Sequence, residues 1–326
     1  MKMPLKGIHH ISAMTANAKE NYDFYTKILG LRLIKKTVNQ DNPTVYHLFY
    51  GDKHGSPGTE LTFFEIPNLA KHKEGVCSIS ATSLRVPSNK ALKYWENRFE
   101  ELDIVHGKIK KKAGRLTMEF QGYESQRLIL VSDENNKEPN NSVYWDKSVI
   151  PKEFAITGLG PVQLTVRRKE STLRVLVELF GYRVIGSYPS SITGQPDIIV
   201  LEAGEGRSET EVHLEVRNDL KVQRLGRGGV HHVAFRVENE DALYDWMEKM
   251  NDARYQHSGL IDRYYFQSVY FRESNGILFE LATDGPGFAT DEDIEHLGES
   301  LALPPFLESK RAQIEEKLVP LDTTYN

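Results

Sequence analysis

From Gly7 to Thr15 apolar and polar side chains alternate, the period of a strand with one buried face. The period then changes. Between Asn17 and Leu29, Tyr22, Phe24, Tyr25, Ile28 and Leu29 recur at near-helical spacing, and Gly30 stands where a helix would stop. Extended stretches follow at 31–38, 44–50 and 61–66, with turn residues between them. The unit is strand, helix, three strands. It recurs from Ser78 to Ser132, with a strand at 79–86, a helix at 89–102 and later strands at 116–120 and 127–131. A third copy runs from Gly160 to Val216, its strand at 162–167, its helix at 171–180 and its stop at Gly181. The fourth runs from Gly229 to Ala282 with a helix at 240–251. The pattern predicts an α+β fold of four βαβββ modules.

The stretch 133–157, rich in Asn, Glu, Lys and Pro, reads as a linker between two halves. The predicted division is 1–140 and 155–285, two modules each, with an extension at 286–326. That extension carries Asp291-Glu292-Asp293 and a helical stretch at 306–318, and is expected to lie solvated on the surface. A net charge of -5 with mixed signs and no basic stripe argues against nucleic acid. No apolar run is long enough to span a bilayer, and Met1 to Lys6 has no leader-like core. The single cysteine, Cys77, excludes an intrachain disulfide and is read as a small buried residue. These features predict a cytoplasmic protein.

Chemistry enters through the strands. Laid over one another, the four first strands align His10, Ala81, Gln163 and His232, and the four last strands align Glu65, Ile129, Glu215 and Glu280. Only modules one and four carry both a histidine and a carboxylate. They are expected to pair around a divalent metal, leaving modules two and three to form a cup without one. Neighbours on a strand point to opposite faces. His231 shares its face with Val233, Phe235 and Val237, which leaves His232 for the cavity. His10 shares its face with Ser12, while His9 falls with Ile11 and Ala13. Glu280 lies with Leu278 and Ala282, away from Ile277, Phe279 and Leu281. Alternation therefore selects His10, His232 and Glu280 as metal ligands. Singly, a strand histidine is more often a hydrogen-bonded structural group. Together, three matched polar positions in apolar strands point to a metal, because a buried carboxylate is costly unless paired or metal-bound. By the same standard, His47 between Tyr46 and Leu48 reads as structural. Gly226-Arg227-Gly228-Gly229 precedes a strand, so it is no phosphate loop.

Four such modules in register resemble the vicinal oxygen chelate superfamily, which includes glyoxalase I, extradiol ring-cleaving dioxygenases and fosfomycin-resistance proteins. The resemblance covers nearly the whole chain and implies paired modules curved into two cups. Five stretches are similar to the ring-cleaving dioxygenases that act on hydroquinones: Ile8-His9-His10-Ile11-Ser12, Val45-Tyr46-His47-Leu48-Phe49-Tyr50, Gly55-Ser56-Pro57-Gly58-Thr59, Asp262 to Tyr270, and Asp291-Glu292-Asp293. That resemblance implies iron at His10, His232 and Glu280, with His9, Ser12, His231, Arg263 and Tyr270 around it. Ser12 stands where some members have Thr. The implied activity is Fe(II)-dependent, extradiol-type cleavage of a hydroquinone or catechol-like ring by dioxygen, in aromatic catabolism or detoxification. Arg263 or His9 would stabilise an anionic ring oxygen, Tyr270 or His231 would move protons, and Ser12, Arg263 and Tyr270 would meet the substrate.

Two tensions remain in the sequence. Alternation turns His9 and His231 away from the face where the resemblance needs them. Glu65 leaves the ligand set open. With it, four ligands match glyoxalase I and suit proton transfer on Zn, Ni or Mn. Without it, three ligands leave one metal face open, as in non-haem Fe(II) oxygenases. The hydroquinone enzymes place no ligand there, so Glu65 is expected beside the cavity but unbound. The competing readings are a glyoxalase-like isomerase or thiol transferase, and a protein that only binds an aromatic or antibiotic molecule. Homo-oligomerisation is left open.

Overall fold

The computed structural model describes residues 5–136 and 142–325. Residues 1–4, part of the segment expected to lack a leader core, and 137–141 of the expected linker lie outside the described residues.

Each module has the predicted order. Module one comprises β1 (Ile8–Thr15), α1 (Ala18–Asp23), β2 (Arg32–Asn39), β3 (Asn42–Gly51) and β4 (Glu60–Glu65). Module two comprises β5 (Ser78–Val86), α2 (Asn89–Glu101), β6 (Lys110–Lys112), β7 (Arg115–Gln121) and β8 (Arg127–Ser132). Module three comprises β9 (Gly158–Val166), α3 (Lys169–Leu173), β10 (Arg183–Tyr188), β11 (Ile198–Glu202) and β12 (Glu211–Val216). Module four comprises β13 (Val230–Val237), α4 (Glu240–Asp252), β14 (Ile261–Asp262), β15 (Phe266–Arg272) and β16 (Leu278–Pro286).

Local chemistry explains the helix limits. Asn17, Ser88 and Asn239 each accept a backbone N–H from the first turn of α1, α2 and α4, satisfying a donor that the helix itself cannot. The helices that begin with α1 and α3 widen in their last turns, where Leu29 N–H donates to Phe24 O and Phe180 N–H to Val175 O. Gly30 ends the first at φ 70°, and a Cβ there would come within 2.4 Å of Ile150. Only glycine meets both demands. The apolar faces of α2 and α4 bury Trp95, Phe99, Trp246 and Met250 against the sheets, each contributing about 1.5–3 kcal/mol of burial.

The modules pair from the outside in. One eight-stranded sheet has the order β14-β15-β16-β13-β1-β4-β3-β2, and the other β10-β11-β12-β9-β5-β8-β7-β6. Modules one and four thus share the first sheet through antiparallel β1 and β13, and modules two and three share the second through β5 and β9. The sheets are two curled half-barrels. The connection across 142–157 is packed down: Trp145 and Ile150 are buried, and Trp95 Nε1 donates to Phe154 O.

The C-terminal extension is not the solvated tail that its polar composition suggests. It covers β2, the edge of the first sheet. Ala302 N–H donates to Lys36 O, and the Tyr325 hydroxyl meets both backbone N and O of Leu33. Leu297, Leu303, Leu307, Ile314, Leu318 and Leu321 are buried. Lys35, fully buried on β2, pairs with Asp291 and Glu292, so the acidic run neutralises an interior cation. The expected helix is two short ones, α5 (Pro305–Glu308) and α6 (Arg311–Glu315). Among the described residues no helix is long and apolar enough to cross a membrane.

Candidate metal centre

The centre is built where β1 meets β13, and the ladder between them slips twice. Ile8 faces Phe235 and His10 faces Ala234, so His9 has no partner of its own. Ser12 faces His232 and Ala13 faces Val230, so His231 has none either. These are β-bulges, which let consecutive side chains turn to one side. Strict alternation holds only for an unbroken ladder. The bulges remove the conflict over His9 and His231, whose rings stand edge-on to His10 and His232 at 5.1 Å in both pairs.

The two halves mirror one another. His9 Nδ1 is 3.0 Å from His10 Nδ1, and His231 Nδ1 is 2.8 Å from His232 Nδ1. The other nitrogens of the inner pair, His10 Nε2 and His232 Nε2, are 3.3 Å apart. Glu280 Oε2 lies 3.1 Å from the first and 2.9 Å from the second. All three groups are buried, and Glu280 Oε2 makes no hydrogen bond. Ser268 Oγ satisfies only the other oxygen. Burial raises the Glu280 pKa, but the facing His10 and His232 outweigh it and hold the carboxyl well below its usual range. Two imidazole nitrogens and one orphaned carboxylate oxygen, gathered in one buried space, are a donor set that fits a divalent metal.

Glu65 does not belong to this set. Strand pairing places Glu280 opposite Ala234, two residues beyond His232. The equivalent position in module one is opposite Ser12, and it holds Thr62. Matching glutamate to glutamate had shifted the alignment by three residues. Glu65 therefore points to the opposite face, where it accepts the backbone N–H of Ala18 at the start of α1. It is not beside the cavity, and the four-ligand arrangement has no fourth carboxylate at its corner. Thr62 Oγ1 instead lies 2.7 Å from Ser12 Oγ and 3.0 Å from His47 Nε2.

A cavity of about 380 Å³ opens over the triad, its walls including Met14, Val38, Phe49, Phe64, Phe266 and Leu278. Ser12, His231, Arg263 and Tyr270 also line it, so the structure brings these predicted residues together with His10 and His232. His9 sits behind His10, its Nε2 donating to Thr283 O. Burial, with the neighbouring His10 and His232 respectively, pushes the His9 and His231 pKa values down to about 3, so both rings are neutral. Arg263 Nε donates to the Tyr270 hydroxyl at 3.2 Å. Burial raises the Tyr270 pKa, so that hydroxyl keeps its proton.

Three features were missed in the sequence. The turn between β2 and β3 reaches across the cavity mouth, where Gln40 Nε2 donates to Arg263 O and Asp41 pairs with the guanidinium at 3.1 Å. Nothing in local pattern marks that contact. Glu60 is buried 3.6 Å from His9 with its Oε2 unbonded, and burial raises its pKa well above the usual range. His47 is a cavity residue and not merely packing. Its place on the face shared with Phe49 was the available signal.

Comparison with known proteins places the chain in a family. The profile of the Glyoxalase/Bleomycin resistance protein/Dioxygenase superfamily matches residues 7–134 and 158–281. The chain is 53% identical over 319 residues, covering 98% of itself and all of the relative, to a Bacillus subtilis protein named "Putative ring-cleaving dioxygenase MhqA". It is 29% identical over 325 residues to the chlorohydroquinone/hydroquinone 1,2-dioxygenase of Sphingobium indicum, covering 96% of this chain and 97% of that one. A crystal structure described as a putative dioxygenase from Bacillus subtilis superposes with a TM-score of 0.88 at 33% identity, covering 98% and 99% of the two chains. Glyoxalase I from Zea mays, at 11% identity and a TM-score of 0.59 over 85% and 92% of the chains, shares the fold. The chain therefore belongs to the Glyoxalase/Bleomycin resistance protein/Dioxygenase superfamily and is a full-length homologue of the ring-cleaving dioxygenase it matches.

Proposed function

We propose that this protein is an Fe(II)-dependent, extradiol-type ring-cleaving dioxygenase acting on a hydroquinone or catechol-like aromatic, with His10, His232 and Glu280 holding the metal. The observation that carries the reading is the buried Glu280 oxygen without a hydrogen bond, facing nitrogens of His10 and His232, two rings that line an aromatic-walled cavity. Three ligands leave a metal face open, and the relatives' names supply the reaction class. Bound there, iron would supply the electronic coupling between an electron-rich ring and dioxygen that closed-shell side chains do not.

The remaining work falls to the chain. With both inner Nε2 atoms turned to the metal, the hydrogens of His10 and His232 sit on Nδ1 and are donated to His9 and His231. Each ligand imidazole is thereby fixed in tautomer and orientation by a neutral neighbour. His9 passes its own hydrogen to Thr283 O and is locked. His231 Nδ1 is occupied by His232, which leaves its Nε2–H as the movable proton at the cavity wall. Arg263 is a permanent cation at that wall and stabilises negative charge on a ring oxygen, while Tyr270, kept protonated, donates rather than accepts. Phe49, Phe64 and Phe266 hold a flat ring and exclude water.

The test is anaerobic loading with Fe(II), followed by oxygen uptake against a panel of hydroquinones and catechols. The expected product gains two oxygen atoms and loses the aromatic absorbance. Stoichiometric iron with no oxygen consumed on any dihydroxy arene would overturn the proposal.

A further inference from the structure

His47 sits across the cavity from Arg263 and Tyr270 in sheet order. Going outward from β13, the strands run β1, β4 and β3, and His47 lies on β3 opposite Phe64 of β4. Its ring is packed against Phe49 and Phe64, with centroids 4.0 Å away in both cases. Its Nε2 is held by Thr62 Oγ1, which is itself held by Ser12. Three neighbours thus fix the plane and rotation of the imidazole. Its Nδ1 makes no hydrogen bond to any described residue, although the ring lines the cavity. Burial, with His10, His232 and Arg263 nearby, pushes its pKa well below the usual value, so the ring is neutral. A neutral imidazole with one nitrogen occupied offers the other as a single donor or acceptor. A phenolic hydroxyl satisfies either.

The cavity therefore offers two sets of polar groups beside its aromatic walls. One is the triad with Arg263 and Tyr270, and the other is His47 on its Thr62–Ser12 support. A ring with both hydroxyls at one end meets only the first. A ring with hydroxyls at opposite ends meets both. Resting on the reaction proposed above, we propose that His47 hydrogen-bonds the substrate oxygen farthest from the metal and makes 1,4-dihydroxy arenes the preferred substrates over 1,2-dihydroxy arenes.

The experiment measures anaerobic binding of hydroquinone, phenol and catechol to the iron-loaded protein, wild type and His47→Phe. Phenylalanine keeps the ring packing and removes the hydrogen bond. In the wild type hydroquinone binds about tenfold tighter than phenol, the value of one good hydrogen bond. In His47→Phe that ratio falls to about one while phenol binding is unchanged. The kcat/KM ratio of hydroquinone to catechol falls by the same factor. Equal weakening of hydroquinone and phenol overturns the proposal, as does a wild type with no preference. If His47→Phe fails to fold or load iron, the ratio is read in Thr62→Val, which removes the support of the imidazole; an undiminished ratio there overturns the proposal too. The two readings fail separately. Loss of the binding ratio without any turnover sinks the reaction and keeps the role of His47. Turnover with an intact ratio in His47→Phe does the reverse.

Discussion

The two cups are built from the same module and each buries a glutamate on a last strand, β12 or β16, yet they treat it in opposite ways. In the second sheet, Glu215 Oε2 accepts from Gln163 Nε2 at 3.1 Å and from Thr165 Oγ1 at 2.7 Å, with Arg217 3.8 Å from the other oxygen. In the first, Glu280 Oε2 has no hydrogen bond and faces two imidazole nitrogens at 3.1 and 2.9 Å. Even the bulge is shared. Ser80 is skipped between Ile79 and Ala81, as His9 is skipped between Ile8 and His10. The bulge therefore belongs to the architecture, and the histidine pair is the local addition. The second cup is also filled, by Arg115, Glu211, His213 and Tyr188 bonded in series, and the pocket beside Glu215 is only about 60 Å³. A buried carboxylate can be neutralised from within the protein or held for a cation from outside. The second cup shows the first solution, and the donor set around Glu280 fits the second.

The largest test of that contrast exchanges the two glutamates' roles under mutation. His232→Ala and Glu280→Ala are expected to lower iron affinity and oxygen uptake by more than about 100-fold, since even residues behind the ligands cost 10- to 100-fold. Glu215→Ala is expected to leave both within about twofold and to cost about 1–3 kcal/mol of stability, from donors left unpaired. Metal analysis after Fe(II) loading and a denaturation curve separate the two. Iron retained at stoichiometry in His232→Ala would end the proposed triad.

Next in size is Arg263→Ala, in which iron content is unchanged and kcat falls about 100- to 1,000-fold, the usual cost of removing a charge-stabilising donor. Loss of iron in that variant would make Arg263 part of the scaffold instead.

Acid should divide the cups more gently. His9 and His231 have folded pKa values near 3, against about 6.5 when unfolded. Between those values the unfolded chain binds more protons, so stability falls as pH drops below 6.5. In the metal-free protein, amide protection in β1 and β13 is expected to weaken between pH 6.5 and 5 before that in β5 and β9. Hydrogen exchange at a single pH compares the strands directly, and equal loss in both sheets would contradict the assignment. The smallest effect is Glu65→Gln, which leaves iron and turnover unchanged and shifts stability by less than about 1 kcal/mol, because glutamine still accepts from Ala18.

Periodicity carried the module order, and the matched histidines carried the pairing of modules one and four. What stayed hidden depended on contacts between strands. A bulge is a property of two strands, so neither Gly7–Thr15 nor Gly229–Val237 alone shows that His9 and His231 turn inward. Glu65 was aligned by residue identity, whereas the register that sets its face is fixed by its partner Thr15. His47 looked structural because its support comes from Thr62 and Ser12, on two other strands. The polar tail looked solvated because its cation partner, Lys35, is more than 250 residues earlier.

The outside-in pairing also orders the protein's assembly in time. Modules two and three are neighbours in the chain and can close their sheet as soon as both are made. Module one cannot, since β1 needs β13 and the facing histidines are 222 residues apart. Until module four emerges, β1 is a bare edge, open to pairing with another chain, and joining distant segments is slow. The seam that carries the candidate metal centre is thus the last to be sewn, and a nascent or truncated chain that ends before Val230 lacks two of the three donors, His232 and Glu280.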